Sequence, residues 1–364
     1  MNVSRRTFVG SIGAPVVLGA QSPNDTVHVA FVGVGNRGAY LLGHTMNVPG
    51  VRVAAVCDLM PERRKEAVKA AQEKGHTPAA FEDFRQLLDR LKDVDAVVIA
   101  TPVNTHMAIA LAALEVGKHV YLEKPLALTP EDSRMIVTAA GNAKGVFQAG
   151  FQLRHDPHRA AAMKFVHGGG IGKVLFLQGY RHTNDLPRET SWYFDRTISG
   201  DNIVEQACHI LDLMTWAVDK HPLRAYGAGG INLYHDIPPG RTTMDNYAVI
   251  YEFPEDVRLV FSHIYFDPPG FSGIKERVYG AVGAVDLPTA TFFERANKGA
   301  VQLEVPGKGK DSTYLSLEAF IDAARGRKTP LNNAASALRS TLVAMMGRKA
   351  IYEKRIVTWE EMAA

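Results

Sequence analysis

The stretch Val27–Gly38, VHVAFVGVGNRG, decides the fold of the first half of the chain. The run Val27–Val32 is apolar apart from His28, which predicts a buried β-strand. It leads directly into Gly33–Gly38, a G-x-G-x-x-G pattern, and a helix-like run begins at Ala39. A strand, this glycine pattern and a helix in that order are typical of a dinucleotide-binding turn.

Each residue of this turn has an expected role. Gly33 allows the tight turn, Gly35 lets a pyrophosphate approach the backbone, and Gly38 lets the helix pack closely on the strand. The phosphates would rest on N–H groups at the helix N-terminus. Asn36 and Arg37, which begin that helix, therefore belong to the predicted cofactor site as well.

The type of cofactor follows from the end of the second strand. Val51–Cys57 is strand-like and is followed by Asp58. A carboxylate about 20 residues beyond the glycines accepts hydrogen bonds from the ribose hydroxyls and repels a 2′-phosphate. We therefore expect NAD rather than NADP. Arg63 or Arg64 could weaken this preference, although we expect both on the solvated face of the next helix.

Polar residues follow two further buried strands, Asp95–Ala100 and His119–Leu122. Strands that alternate with helices predict a parallel, doubly wound sheet, in which ligands bind beyond the C-terminal strand ends. Five residues at these ends complete the predicted cofactor site: Thr101, Pro102, His106, Glu123 and Lys124. The alternative is an α/β domain with an empty crevice.

With these features the chain resembles the Gfo/Idh/MocA oxidoreductases over nearly its whole length after the first 24 residues. The resemblance is carried by three motifs: Gly33–Gly38, Thr101-Pro102 with His106, and Glu123-Lys124-Pro125. It implies a second domain with a large open antiparallel sheet, whose open face packs against another subunit in a dimer or tetramer. It also implies a cis peptide before Pro125, and that Lys124 reaches both nicotinamide and substrate.

The sequence pattern changes near Gly150. Strands then follow one another without long helices between them, which predicts an antiparallel sheet. The expected strands are 174–182, 224–231, 247–253, 257–266 and 277–287, with helices over 314–325 and 334–351. The predicted fold is thus an α/β Rossmann domain plus an α+β domain with a large open, mainly antiparallel sheet. Its segments are a leader, 1–24, an NAD-binding domain, 25–149, and a substrate-binding and oligomerisation domain, 150–364.

Catalytic candidates lie on a helix predicted over about residues 201–218. Glu205, His209 and Asp212 are spaced four and three residues apart and would share one helix face. The resemblance, through a D-x-x-x-H pattern on this helix, implies that His209 is the general base and Glu205 the acid beside it, with Glu in place of Asp. Lys124 would stabilise developing alkoxide charge, and Asp212 would be structural. The alternative for His209 is a histidine that only satisfies a hydrogen bond.

Three residues are candidates for substrate binding. Arg154, just past the domain junction, would contact substrate hydroxyls or form a salt bridge. His182 and Trp192 lie in the segment 180–194, which is rich in aromatic rings and hydrogen-bond donors. Sugars stack their C–H faces on aromatic rings, although Trp192 could equally be a core aromatic residue.

The expected function is NAD-dependent oxidation of a hydroxyl on a sugar, sugar derivative or cyclitol. One alternative is a redox-neutral, NAD-dependent glycoside hydrolase or lyase that oxidises the sugar transiently and then eliminates. Another is a sugar-binding protein with a vestigial cofactor. The same lysine and histidine would serve both enzymatic schemes, so the motifs do not separate them.

The N-terminus suggests export. Arg5-Arg6 is followed by a weakly apolar run, Gly10–Ala20, as in a Tat signal. That run is shorter than the about 20 apolar residues of a membrane span. We therefore expect a periplasmic or otherwise Tat-exported protein. Because little free NAD is available outside the cytoplasm, we also expect the cofactor to be bound tightly before export.

Composition excludes two further classes of site. The formal net charge is +3 and no Lys/Arg run is present, so we expect no nucleic-acid partner. Cys57 and Cys208 provide neither a disulfide framework nor metal-ligand spacing, so no metal is expected.

Overall fold

The computed structural model describes residues 25–184, 186, 191–271, 273–296 and 299–363. The predicted leader, residues 1–24, lies outside the described residues.

The first domain, within the described residues, contains one parallel sheet of six strands in the order β3-β2-β1-β4-β5-β6. The strands are β1 Val27–Val32, β2 Val51–Cys57, β3 Ala79–Phe81, β4 Ala96–Ile99, β5 His119–Leu122 and β6 Phe147–Ala149. The helices between them are α1 Asn36–Thr45, α2 Pro61–Glu73, α3 Phe84–Arg90, α4 His106–Glu115 and α5 Pro130–Asn142. The order reverses between β1 and β4, which is the point where such sheets bind dinucleotides.

The second domain contains a large sheet with the order β14-β13-β12-β11-β7-β10-β9-β8-β15 in the described part of the chain. Its strands are β7 Val174–His182, β8 Arg224–Gly230, β9 Asn246–Glu252, β10 Arg258–Ile264, β11 Gly273–Gly280, β12 Gly283–Asp286, β13 Thr291–Glu294, β14 Ala300–Gln302 and β15 Val357–Thr358. One pair, β7 and β10, is parallel, while the other assigned pairs are antiparallel. The predicted mainly antiparallel sheet is confirmed.

The remaining helices are α6 Pro157–His167, α7 Arg196–Ser199, α8 Asn202–Glu205, α9 Cys208–Val218, α10 Ser312–Ala324, α11 Ala334–Glu353 and α12 Glu360–Ala363. α9 packs on β7 and β11, and α11 packs on β8 and β9. We call the sheet face covered by these two helices the inner face and the opposite one the outer face. None of the described helices is long and apolar enough to cross a membrane.

The structure corrects the predicted boundary between the domains. Helix α10 belongs to the range 150–364 but packs in the core of the first domain. Its Leu317, Phe320 and Ile321 are buried in the same cluster as Phe31 of β1. The Phe320 ring meets the Tyr121 ring edge-on at 5.6 Å. The first domain is therefore completed by a helix from the C-terminal part of the chain.

The single strand predicted over 277–287 is also wrong. The chain turns back between Gly280 and Gly283, and β11 pairs with β12 in an antiparallel hairpin with Arg277 opposite Asp286. An apolar run continuous through the turn conceals the reversal in the sequence.

Candidate active site

The glycine turn has the close contacts that a pyrophosphate cradle requires. Gly33 has φ +85°, a conformation that favours glycine. A Cβ added at Gly38 would lie 2.0 Å from the carbonyl oxygen of Gly33. Helix α1 can therefore approach β1 only because a side chain is absent, and its first N–H groups are brought to the strand end. Asn36 and Arg37 begin α1, as predicted.

Asp58 is held against this turn. Its Oδ2 accepts from the backbone N–H of Val34 at 2.9 Å, and its Oδ1 accepts from Met60 N–H at 2.9 Å. These bonds fix the carboxylate at the end of β2, beside the glycines. This is the place from which an acid contacts the adenosine ribose of NAD.

The two arginines that follow are not on a solvated helix face, contrary to expectation. Arg64 donates to the carbonyl oxygens of Asp58 and Leu59 at 2.5 and 3.1 Å. Arg63 lies beside the turn, where a Cβ on Gly35 would come within 2.9 Å of its Nη1. The guanidinium of Arg63 thus adds positive charge beside the predicted phosphate site.

His106 takes a supporting place rather than the predicted cofactor contact. It is 1% exposed. Its Nδ1 lies 2.8 Å from the carbonyl oxygen of Pro125, and its Nε2 lies 2.9 Å from that of Thr101. Burial lowers the pKa of His106, and a neutral imidazole carries one N–H, so it donates to one of these two carbonyl oxygens. The ring thus lies between the end of β4 and the end of β5. Thr101 and Pro102 themselves lie at the strand end, as predicted.

Glu123 and Arg37 form an ion pair across the same edge. Glu123 is 4% exposed and its Oε1 accepts from Arg37 Nε at 2.8 Å. Its Oε2 accepts from the backbone N–H of Lys124 at 3.2 Å. Arg37 Nη1 also reaches Thr313 Oγ1 of α10 at 3.4 Å. The pair therefore braces the loop that carries Lys124.

Lys124 and Glu205 meet where the two domains face each other. Lys124 Nζ donates to Glu205 Oε1 at 2.6 Å and also to the Glu205 carbonyl oxygen. The Lys124–Pro125 peptide is cis, which confirms the expectation from the resemblance. Burial acts to lower the pKa of Lys124, but the Glu205 carboxylate outweighs it and the pKa is raised. The ammonium group is thus a hydrogen-bond donor and not a base.

The helix predicted over 201–218 is broken between α8 and α9, so Glu205 and His209 do not share one helix face. The backbone N–H of His209 bonds to the carbonyl oxygen of Gln206, at 3.5 Å, rather than to that of Glu205. The Glu205 carbonyl oxygen can therefore accept from Lys124, and from Cys208 Sγ at 3.5 Å. In a continuous helix the Glu205 carbonyl oxygen would accept from the backbone N–H of His209. The break leaves this oxygen available, and its hydrogen bond from Lys124 positions the ammonium group.

His209 is arranged to remain an uncharged imidazole. Burial, and then the positive charges of Lys124 and Arg37, hold the pKa of His209 well below its usual value. Its Nδ1 is buried and has no hydrogen-bond partner among the residues that the structure describes. The ring meets Phe151 edge-on at 6.2 Å. A neutral imidazole close to a cationic lysine can accept a proton that the lysine cannot take.

Arg154 is not a substrate contact, and this prediction is corrected. Its Nε and Nη2 donate to the two carboxylate oxygens of Asp212 at 2.9 and 2.6 Å, and the side chains are 3% and 1% exposed. Ser340 Oγ donates to Asp212 Oδ1 at 2.6 Å, and the guanidinium lies 5.1 Å from the centre of the Trp216 ring. Arg154 thus forms a buried structural pair, the salt bridge that the sequence left as the alternative.

His182 is placed on the wrong side of the sheet for its predicted role. Successive strand residues point to opposite faces. In β7, Leu177, Gly179 and Arg181 point to the inner face, so His182 points to the outer face. It stacks on Tyr180 at 4.4 Å, and its Nε2 lies 2.9 Å from Ser262 Oγ. Its neighbour Arg181 is the residue on the side of the active site. Side chains alternate between the two faces of a strand, so Arg181, four residues after the buried Leu177, could have been assigned to the inner face from the sequence.

Trp192 stays a candidate. It is half-buried in a 3₁₀ turn, Ser191–Phe194, with its ring 6.0 Å from that of Tyr193. The Tyr193 hydroxyl lies 2.9 Å from that of Tyr265, which donates to Gln206 Oε1 at 2.5 Å. This hydroxyl chain, which the sequence did not indicate, leads from the segment of Trp192 to the residue after Glu205.

These features define a two-domain oxidoreductase with an NAD-binding Rossmann domain, in which a lysine of the first domain meets an acid and a histidine of the second. Residues 27–151 match the family described as "Oxidoreductase family, NAD-binding Rossmann fold", and residues 159–286 match the "GFO/IDH/MocA C-terminal domain". The chain belongs to the Gfo/Idh/MocA family. Within the described residues, no three side chains of His, Cys, Asp or Glu are grouped as metal ligands would be.

The relatives of this chain have two kinds of activity in their names. It is 32% identical over 315 residues to an inositol 2-dehydrogenase/D-chiro-inositol 3-dehydrogenase of Lactiplantibacillus plantarum, covering 84% of this chain and 85% of that one. It is 35% identical over 165 residues to a glycosyl hydrolase family 109 protein of Saccharopolyspora erythraea, but this match spans only 36% of that protein and 44% of this chain. A scyllo-inositol dehydrogenase structure from Lactobacillus casei, with NAD(H) and scyllo-inositol, superposes with TM-score 0.76 at 20% identity, covering 93% of this chain and 100% of that one.

Proposed function

We propose that this protein oxidises a hydroxyl group of a sugar, sugar derivative or cyclitol, with NAD as its tightly bound cofactor. The observation that carries the proposal is the 2.6 Å hydrogen bond from Lys124 Nζ to Glu205 Oε1, which joins the cofactor domain to the second domain. Four residues after Glu205, the buried Nδ1 of His209 has no hydrogen-bond partner among the described residues. The similarity to an inositol dehydrogenase over 85% of its length supports the substrate class.

In this reaction the chain has two tasks: to accept the proton of the substrate hydroxyl and to stabilise the charge on its oxygen. NAD⁺, when bound over the glycine turn, supplies the hydride acceptor. Lys124 donates a hydrogen bond to the substrate oxygen and stabilises the negative charge that develops there. The imidazole of His209 accepts the hydroxyl proton as the carbon loses its hydrogen. Glu205 holds the ammonium in place through Oε1 and its carbonyl oxygen.

The test is to purify the protein without added nucleotide, identify any released cofactor by mass, and follow absorbance at 340 nm with free sugars and cyclitols. Lys124→Met and His209→Asn should each lower kcat about 100-fold or more while NAD still binds, because proton transfer and oxyanion stabilisation are lost. Sugar binding without turnover in the wild type would instead support the reading as a sugar-binding protein. Unchanged turnover in both variants would contradict the roles given to Lys124 and His209.

A second candidate is the redox-neutral glycosidase, favoured by the similarity to the family 109 protein. In that scheme oxidation acidifies the C–H next to the new ketone, elimination breaks the glycosidic bond, water adds to the resulting unsaturated ketone, and the hydride returns to the carbonyl carbon. The chain would then release the aglycone of an aryl glycoside without lasting NADH. A stoichiometric rise in NADH with free sugars and no aglycone release excludes it.

We also propose that the protein is exported through the Tat pathway, as its twin arginines indicate. The test is to express the full chain in a Tat-competent bacterium and to measure its periplasmic fraction. Arg5→Lys together with Arg6→Lys should keep it in the cytoplasm. Equal export of this double variant would overturn the proposal.

We further propose a homo-oligomer formed through the outer face of the large sheet. Tyr226, Val260 and Phe293 lie on this face and are 38%, 36% and 49% exposed. A broad apolar sheet face left in water promotes association. Light scattering should show a dimer or tetramer that Val260→Asp dissociates, whereas Gln72→Asp, the same charge change on exposed α2, should not. A monomeric wild type contradicts the proposal.

A further inference from the structure

Arg181 is a cation of the active-site cleft that has no carboxylate partner within the described ranges. It lies on the inner face of β7, directly opposite His263 of β10. Its Nε is buried and makes no hydrogen bond to any described residue. Arg181 as a whole is partly buried, and a guanidinium with a buried nitrogen and no counterion favours a ligand of opposite charge.

The other cations that act on His209 are already neutralised. Each has a carboxylate within 3 Å: Lys124 with Glu205 at 2.6 Å, Arg37 with Glu123 at 2.8 Å, and Arg159 with Glu276 at 2.6 Å. The inner face of β7 packs on α9: a Cβ added at Gly179 would lie 2.9 Å from Ile210, the residue after His209. Arg181 lies two residues further along the same face, and its charge contributes to the lowering of the pKa of His209. Of these four cations, Arg181 is the one without an ion pair to a carboxylate among the described residues.

Unpartnered polar atoms cluster around this arginine. His263 is fully buried, its Nδ1 lies 3.0 Å from the Tyr247 hydroxyl, and its Nε2 has no partner among described residues. Nδ1 of His209 is also buried and has no hydrogen-bond partner among the described residues. Buried polar groups are normally hydrogen-bonded. These two atoms, on the strand and the helix that flank Arg181, favour a polar ligand, and the guanidinium favours an anionic one.

We propose that Arg181 binds a carboxylate of the substrate, so that the substrate is a sugar acid, such as a uronic acid, rather than a neutral sugar. The inference rests on the proposed function and names the substrate class of the same site. A single guanidinium matches a carboxylate in charge and in its two parallel hydrogen bonds. A phosphate, with up to two charges, would call for a second unpaired cation. The bound carboxylate also offsets the positive charge next to His209 and makes it a better base.

The test compares neutral and acidic members of one sugar series. Wild type, Arg181→Lys and Arg181→Met are assayed with glucose, glucuronate and glucose 6-phosphate. Binding of glucuronate to the NADH-loaded protein is measured by calorimetry. Arg85→Met, which removes the same charge from a 69% exposed side chain of α3, is the matched control.

We expect wild type to prefer glucuronate over glucose by about tenfold or more in kcat/KM, as one charge-assisted hydrogen bond would give. Arg181→Met should lower this preference by about 10- to 100-fold, and Arg181→Lys by less, since the charge is kept but the paired geometry is lost. Arg85→Met should leave the preference unchanged.

The outcomes separate this inference from the proposed function. Oxidation of glucose with no preference for glucuronate, or an equal loss on both substrates in Arg181→Met, overturns the inference while the dehydrogenase stands. A preference for glucose 6-phosphate overturns the carboxylate assignment. Glucuronate that binds in an Arg181-dependent way, while no sugar or cyclitol is oxidised, supports binding of a carboxylate by Arg181 and rejects the dehydrogenase. If glucose is oxidised and bound glucuronate is not, the inference is overturned and the dehydrogenase stands. Absence of both binding and turnover with glucuronate overturns the inference.

Discussion

Asp212→Asn tests whether Arg154 forms a structural ion pair with Asp212 rather than the predicted contact with substrate. The carboxylate of Asp212 accepts two hydrogen bonds from Arg154 and one from Ser340, and the charged pair is almost wholly buried. The substitution removes the counterion and leaves the guanidinium charge in the interior. Breaking one side of a buried ion pair costs about 3–5 kcal/mol. We expect a loss of unfolding free energy in that range.

The matched control is Asp219→Asn, at the C-terminal end of α9. Asp219 pairs with Arg339 at 2.7 Å but its side chain is 76% exposed. An exposed pair contributes at most about 1 kcal/mol. Asn also tolerates the left-handed backbone of this position, φ 49°. Urea unfolding at 25 °C, followed by circular dichroism, should therefore separate the two variants clearly.

Enzyme kinetics decide what the loss of stability means. Because Arg154 does not reach the cleft, the folded Asp212→Asn protein should keep kcat/KM within about threefold of wild type, as expected for a variant with an intact site. A variant of normal stability with a large rise in KM would refute this reasoning. It would show that Arg154 contacts the substrate after all.

Three other outcomes follow from the site. Burial and nearby cations lower the pKa of His209 well below 6.5. The value of kcat/KM for oxidation should therefore stay level as the pH falls to 6.5 and decline only at lower pH. A decline centred above pH 7 would contradict this assignment of the base. Asp58→Ser should raise the NADP/NAD ratio of kcat/KM by about tenfold or more, since the repulsion of a 2′-phosphate is removed; an unchanged ratio would show that Asp58 does not read the ribose. Gly38→Ala should abolish NAD binding, measured by calorimetry, because its Cβ would meet Gly33 at 2.0 Å, whereas Gly43→Ala on the same helix meets nothing within 4 Å and should bind normally.

Much of the cofactor site could be predicted from local sequence. The turn Gly33–Gly38 and Asp58 each follow a buried strand directly, and Lys124 comes soon after another. Parallel strands end at one edge of their sheet, so residues that are far apart in the chain meet there without further information. The same logic predicted the doubly wound sheet itself.

The second domain shows where such reasoning stops. A pattern of apolar residues predicts that one side of α10 is buried. The hydrophobic effect is non-directional, so the pattern does not specify which domain α10 packs against. Only the packing of Phe320 against Tyr121 assigns this helix to the first domain. The break before α9, which gives Lys124 the Glu205 carbonyl oxygen, likewise has no local signal.

The sequence by itself determined the NAD-binding domain and the sheet edge at which its motifs meet, and it named a lysine, an acid and a histidine as catalytic candidates. Only the tertiary structure decided which arginine faces the cleft. Arg154 is paired by Asp212, 58 residues away, while Arg181 is left unpaired in the described structure by the face of β7 on which it lies. The physical reason is that the state of a charged side chain depends on the partners and burial that the folded chain provides, and these are non-local.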